Sequence, residues 1–451
     1  MSPIKITFWA GLAALLGLWF LADPRALAPA GFFALRNGMV QASGIVAMAC
    51  MSLAMILALR PHWPERSLGG LDKMYRLHKW FGVGGLVAAI VHWLWAQGPK
   101  WAVGLGWLER PQRGARPVAG SAFEQFLLAQ RSTAEGLGEW AFYAAVLLIA
   151  VALIARIPYS VFHKTHRLLA VAWLVLVFHT VVLMKSSYWG SPIGVVMILL
   201  LAYGAFAAVV VLVGRVGAGH KAGGTITALH YFPELRVLEG EIDVPVGWRG
   251  HKAGQFAFLT TDEAEGAHPF TIASPWHAME HRIHFVTKEL GDYTRRLPEV
   301  LRVGQPVSVE GPYGCFAFED DRPRQIWIGA GIGITPFIAR MKELALRRQA
   351  VPVRQRSQAV DLFHTTADYS EEAIAKLQAD AEAAGVRLHV LHDARDGRLT
   401  GDRVRAAVSD WREASLWFCG PAGFGSTLRR DFAAHGLPVA DRFHQEIFTM
   451  R

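Results

Sequence analysis

The sequence predicts a multidomain membrane protein in three parts: a six-helix transmembrane bundle, an antiparallel β-barrel domain, and an α/β domain with a parallel sheet. Three observations carry that expectation. The chain is too apolar for an ordinary soluble protein, with 52% hydrophobic residues and a mean hydropathy of +0.25. Nearly all of the excess lies before about residue 214, in six apolar stretches at 4–22, 40–59, 80–97, 139–156, 166–184 and 192–214. Beyond them the pattern changes to short alternating segments, and then to strand, glycine turn and helix.

Each apolar stretch approaches the ~20 residues that cross a hydrocarbon core ~30 Å thick. Lys5 precedes the first, as in a signal peptide, but no small-x-small cleavage site follows before Asp23-Pro24, so it is read as a retained span. The 60–79 connection carries Arg60, Arg66, Lys73, Arg76 and Lys79, and the 156–167 connection carries Arg156, Lys164 and Arg167. Both therefore belong on the cytoplasmic side, with both termini. The 98–138 connection falls outside; its five basic residues are spread out and mixed with Glu109, Glu124 and Glu135. Trp101 and Trp107 in it suit an interfacial lid or a docking surface. The net charge of +9 reflects these membrane flanks, and no aromatic-interleaved basic patch points to nucleic acid. Three separated cysteines, Cys50, Cys315 and Cys419, offer neither a disulfide framework nor a CxxC motif.

The third and fifth apolar stretches, YRLHKWFGVGGLVAAIVHW and THRLLAVAWLVLVFHT, each hold two histidines. Ionisable side chains in a span are costly and face a partner or cofactor. His78 and His92 stand about four helical turns apart, and so do His166 and His179, whose separation is shorter by a single position. At ~1.5 Å per residue each pair spans about 20 Å of helix, so its members sit near opposite interfaces. The two spans run in the same direction, which puts His78 level with His166 and His92 level with His179. Two imidazoles at each of two levels make two bis-histidine sites for haem b. The 14-residue step from His78 to His92 nearly returns to one helix face, while the 13-residue step from His166 to His179 lands roughly 140° away, so the fifth helix must bend or use two flanks. His163 is a rival to His166.

After the spans, GTITALHY, RVLEGEID, QFAFLTT, HRIHFVT and PVSVE suggest an antiparallel barrel. RQIWIGAGIGITPFIARMKELA then reads as strand, turn and helix, with Gly329, Gly331 and Gly333 letting a pyrophosphate approach backbone N–H groups. The spacing departs from G-x-G-x-x-G. VDLFHTT, SEEAIAKLQADAEAAG, VRLHVLHD and SLWFCGPAGF continue the alternation of a parallel sheet.

The motifs HPFTIAS, KELGDYT, EGPYG, IGAGIGITP, FCGPAGF and the terminal FHQEIF, in that order, resemble the ferredoxin-reductase-type flavin and nicotinamide module. Together with the histidine spacings they resemble its membrane branch, the NADPH oxidases and ferric reductases, especially the bacterial members, over roughly residues 40–451. The resemblance implies a di-haem ferric-reductase-like transmembrane domain at 1–218, an FAD-binding β-barrel domain at 219–318 and an NAD(P)-binding α/β domain at 319–451. It implies that His268, Pro269, Phe270 and Thr271, with Ile272 and Ser274, line the flavin, and that Lys288, Gly291 and Thr294 hold its pyrophosphate. Gly331, Gly333, Thr335 and Pro336 would meet NADPH or NADH. Cys419, Gly420 and Pro421 would lie near the nicotinamide, with Phe448 over the flavin face.

One position departs. The family often has an arginine for the 2′-phosphate of NADPH where LFHTTAD places Ala367, followed by Asp368, so NADH is a serious candidate. Arg354, Arg356 and Arg395 are possible substitutes for the missing charge. The implied activity is transmembrane electron transfer at a bacterial inner membrane, with the FAD and NAD(P) domains in the cytoplasm. Electrons pass to oxygen, giving superoxide, or to a ferric chelate. The alternative is a conduit to a periplasmic partner protein or to quinone. A transporter would leave the flavin motifs without purpose, and no EF-hand loop argues for calcium control.

Overall fold

The computed structural model describes residues 3–110, 121–154, 156–245, 247–350 and 358–446. The chain divides into two compact units, Met1–Pro64 with Lys73–Val216, and Glu65–Asp72 with Gly217–Met450.

In the first unit, six helices among the described residues are long and apolar enough to cross a membrane: Ile4–Ala22, Phe32–Ala58, Leu71–Gly104, Ala122–Leu153, Val161–Leu183 and Pro192–Leu212. All six expected spans are present, but three extend well past their apolar stretches. The third has 34 residues, about 51 Å of helix against a ~30 Å core. Most of the expected 98–138 connection is therefore helix. Trp101 belongs to the third span, with its ring 5.2 Å from that of Trp93, and Trp107 is exposed just beyond the helix end. Small residues let the spans approach closely. Ala49, Ala207 and Ala208 are fully buried beside Trp173, Ile193 and Met197, and a Cβ at Gly204 would lie 3.0 Å from the Trp173 ring.

The fifth span is interrupted. Its helix stops at Arg167 and restarts at Leu169. The Leu168 N–H donates to the Thr165 carbonyl at 3.0 Å, and the Val171 N–H donates to the Leu168 carbonyl at 3.0 Å. These i to i−3 bonds wind the chain tighter than an α-helix, and the break falls between the two histidines of that span.

The second unit contains two sheets. Strands β1 (Lys221–Phe232), β2 (Val237–Asp243), β3 (Phe256–Thr260), β4 (His268–Thr271), β5 (Arg282–Lys288) and β6 (Pro306–Tyr313) form an antiparallel sheet in the order β4-β3-β6-β1-β2-β5. The expected barrel is not closed. Its edges are joined by a lone bridge, Ile272 to Phe285, and by the Ala273 N–H donating to the His284 carbonyl at 2.7 Å. β4 is only four residues long, too short to build a continuous ladder with β5.

Strands β7 (Arg324–Ala330), β8 (Ala359–Thr366), β9 (Arg387–His392), β10 (Ser415–Cys419) and β11 (Phe443–Glu446) form a parallel sheet in the order β11-β10-β7-β8-β9. The chain winds from β7 outward to β9, then returns to place β10 on the other side of β7. That reversal makes a crevice outside the carboxyl ends of β7 and β10, where open α/β sheets bind ligands. Ile326, Trp327, Ile328, Leu416 and Phe418 are essentially inaccessible to solvent, as expected of parallel strands covered on both faces.

Candidate functional site

Within the membrane unit the four histidines meet in two pairs. The His78 and His166 rings have centroids 5.9 Å apart, and those of His92 and His179 lie 6.2 Å apart. Two imidazoles that bind one metal from opposite sides, with metal–nitrogen bonds of about 2 Å, have centroids about 6 Å apart. Both separations suit a metal between the rings. The interruption at Leu168 resolves the 13-residue spacing, because both rings of the fifth span face the third despite their unequal helical phase.

Backbone carbonyls orient three of the rings. His78 Nδ1 lies 2.8 Å from the Ala54 carbonyl oxygen, His92 Nδ1 2.9 Å from that of Val40, and His179 Nδ1 2.8 Å from that of Ala134. A carbonyl only accepts, so each Nδ1 carries the proton and each Nε2 keeps its lone pair. This is the outer-shell bond that orients metal-binding imidazoles. Val40 and Ala54 are separated along the second span by the same number of positions as His78 and His92 along the third. The fourth ring is held differently. The buried His166 Nδ1 has no hydrogen-bond partner among the described residues, and the ring stacks on Phe162 at 5.0 Å.

Two glycines complete this geometry, and neither was singled out in the sequence. A Cβ at Gly138 would stand 2.0 Å from His179 Nδ1, and one at Gly44 would stand 3.1 Å from His92 Nδ1. The bare helix surface at Gly138 is what allows the imidazole to reach the Ala134 carbonyl one turn earlier. A glycine inside an apolar helix was the available signal.

In the second unit, β4 carries the HPFT motif. Phe270, Thr271, Ile272 and Ser274 are buried. Phe270 and Ile272 join the core of the antiparallel sheet, and Ser274 Oγ accepts the His284 N–H at 3.2 Å. Phe270, Ile272 and Ser274 thus take part in the scaffold of the sheet, while His268 and Pro269 are half-buried. The His268 ring stacks on Tyr293 with centroids 3.7 Å apart. Gly291 caps the helix Asp292–Val300, and Thr294 Oγ1 accepts the N–H groups of Leu290 and Gly291 at 3.0 Å each. Lys288 pairs with Asp368, its Nζ 2.5 Å from Oδ2.

The nicotinamide set gathers at the crevice. Gly331 has φ +56° and open space where a Cβ would be, a conformation that favours glycine. A Cβ at Gly333 would lie 2.2 Å from the Cys419 carbonyl oxygen, and Gly420 has φ +156°. Thr335 Oγ1 donates to the Ile332 carbonyl at 2.8 Å, securing the turn into the helix Thr335–Ala350, which Pro336 helps to open. Cys419 pairs with Gly329 on one side and Glu446 on the other. Burial pushes its thiol well above the ordinary value, with the Glu446 carboxylate adding to the effect. Glu446, buried at the same strand edge, is the residue that motif reading passed over inside FHQEIF. Pro421 opens the helix Ala422–Ala434. Phe448, Arg354 and Arg356 lie outside the described residues.

Residues 43–177 match the family described as ferric reductase like transmembrane component. An NADPH oxidoreductase of Mycobacterium tuberculosis is 34% identical over 152 residues, 33% of this chain and 38% of its own length. Respiratory burst oxidase homolog protein E of Arabidopsis thaliana is 28% identical over 228 residues, 41% of this chain and 22% of its own. The matched segment is thus well under half of either relative. The crystal structure of flavohemoglobin from Malassezia yamatoensis with bound FAD and heme aligns over 92% of this chain and 98% of its own, at 16% identity and a TM-score of 0.46.

Proposed function

We propose that this multi-pass membrane oxidoreductase, a ferric-reductase-like transmembrane domain joined to a ferredoxin-reductase-type FAD and nicotinamide module, moves electrons across a bacterial inner membrane from cytoplasmic NAD(P)H to an acceptor on the outer face. The acceptor is oxygen or a ferric chelate. The observation that carries this reading is the pair of facing imidazole pairs, spaced for a metal and oriented through Nδ1 at three of four rings.

When bound, FAD would supply the conversion of hydride equivalents to single electrons, and two haems b would supply one-electron carriers at two depths. His78 and His166 would hold the inner haem, His92 and His179 the outer one. With all four imidazoles holding iron, the chemistry supplied there would be electron transfer alone, without the acceptor binding to the metal. Val40, Ala54 and Ala134 fix ring tautomers through their carbonyls, and Gly44 and Gly138 admit the rings. His268, Pro269, Phe270, Thr271, Ile272 and Ser274 shape the flavin side of the module; Gly291 and Thr294 form the turn for its pyrophosphate, with Lys288 close by. Gly331 and Gly333 would present backbone N–H groups to the dinucleotide, while Thr335 secures the turn and Pro336 opens the helix that follows it. Cys419, Gly420 and Pro421 would border the nicotinamide. A buried, neutral Cys419 thiol fills that space without competing as a nucleophile.

The test is the visible spectrum of detergent-purified protein kept free of oxygen, before and after NADH or NADPH, with air admitted last. Reduced b-type bands that appear with nucleotide and vanish in air support the reading and the oxygen branch. Haem bands unchanged by either nucleotide refute the route from the module to the membrane unit.

A further inference from the structure

The second unit encloses a cavity of about 390 Å3, lined by β1, β2 and β5, the turn at Gly331, the carboxyl end of β8 and the helix Glu371–Ala384. Its size is that of a small-ligand site. Asp368 lies on its wall, two residues beyond β8. In a βαβ unit whose first turn receives a pyrophosphate, an acid after the second strand meets the adenosine ribose. Asp368 occupies that place relative to Gly331.

The polar groups around it favour hydroxyls over phosphate. Asp368 Oδ2 holds Lys288 at 2.5 Å and lies 3.9 Å from Arg236, while Oδ1 has no hydrogen-bond partner among the described residues. Lys288 holds the carboxyl below its ordinary value, so it stays ionised. Thr366 Oγ1 donates to the Asp368 carbonyl at 2.8 Å and fixes the turn. His364 lines the same cavity. Its Nδ1–H donates to the Gly329 carbonyl at 3.1 Å, leaving Nε2 as a second acceptor. Two of the lysines on the wall are committed to carboxylates, Lys288 to Asp368 and Lys376 to Glu239 at 2.5 Å. Lys342 stands in the field of Asp380, another wall residue. Arg395 is bound to Asp396 at 3.0 Å. A ribose diol finds acceptors here, whereas a 2′-phosphate meets a fixed carboxylate.

We propose that Asp368 makes this cavity select a dinucleotide whose adenosine ribose carries a free 2′-hydroxyl, so that the electron donor is NADH rather than NADPH. The inference rests on the reading of the second unit as a nicotinamide-dinucleotide site.

The experiment titrates the FAD-loaded full chain in detergent with ADP-ribose and with its 2′-phosphorylated counterpart, by calorimetry. Neither probe carries nicotinamide, so binding is read apart from redox chemistry. The expected result is ADP-ribose binding tighter by about ten-fold or more, with Asp368→Asn narrowing the ratio to within about three-fold. Equal binding, or tighter binding of the phosphorylated probe, overturns the proposal, as does an unchanged ratio in folded Asp368→Asn. The wild-type ratio decides by itself if that variant fails to fold. Binding of neither probe overturns the dinucleotide reading and this inference with it.

Discussion

The membrane unit and the crevice of the parallel sheet, proposed to take the dinucleotide, build their sites by opposite means. In the membrane unit the chemistry is in side chains: four imidazoles on two long helices, at depths fixed by the rise of the helix. At the crevice it lies mainly in the backbone, where Gly331 and Gly420 take positive φ and Gly333 lies against the Cys419 carbonyl around a strand reversal. Side-chain sites on regular helices can be read by counting residues, because apolar surroundings make any histidine conspicuous. Backbone sites cannot, since the same glycines serve ordinary turns. Only their place in the strand order gives them meaning.

Removing one imidazole breaks the first kind of site most sharply. His92→Ala is expected to abolish the outer haem, cutting b-type absorbance per chain by roughly half while FAD is retained. Unchanged haem content would remove His92 from the ligand set. Gly138→Ala should nearly match it, because its Cβ would stand 2.0 Å from His179 Nδ1, whereas Gly136→Ala meets nothing within 4 Å and should leave the spectrum unaltered. The absorbance ratio of these two variants checks whether the bare helix surface matters. At the crevice, Gly333→Ala should leave haem content intact and weaken dinucleotide binding, since its Cβ would press on the Cys419 carbonyl; titration with nucleotide alongside a haem assay separates the two units.

The next effect is pH-dependent and confined to the second unit. Burial, with Lys288 nearby, lowers His364 from 6.5 to about 4. The folded value lies below the unfolded one, so the associated stability is fully present above about pH 6.5 and is lost as pH falls to about 4. The loss amounts to ~3 kcal/mol at most. Thermal melts of the full chain across that window should flatten in His364→Asn, which keeps a donor for Gly329. An identical pH slope would contradict the assignment. The smallest effect belongs to the exposed pair Lys252 and Glu319 at 2.7 Å. Lys252→Ala should change stability by about 0.5 kcal/mol or less, measured by the same melts.

The contrast also explains what could be read from the sequence. Six spans and the two histidine levels followed from hydropathy and from the constant rise of an α-helix. The order of the motifs along the chain announced the module. The interruption at Leu168 carried no proline or glycine signal, and only the awkward 13-residue spacing hinted that the fifth helix could not be regular. The expected barrel failed to close because β4 is short, a property of pairing partners distant in sequence. Gly44 and Gly138 act through residues on other helices, His92 and His179. The Lys288–Asp368 pair joins positions 80 residues apart. Such contacts come from tertiary packing and have no local periodicity to betray them.

The central claim, two bis-histidine sites in one membrane unit, is tested most directly by haem quantitation with low-temperature electron paramagnetic resonance on the oxidised, detergent-purified chain. The account predicts about two haems b per chain, both low-spin because each iron is held by two imidazoles. A colourless or purely flavin-coloured protein, a single haem, or a high-spin signal from iron with an open axial position would contradict it.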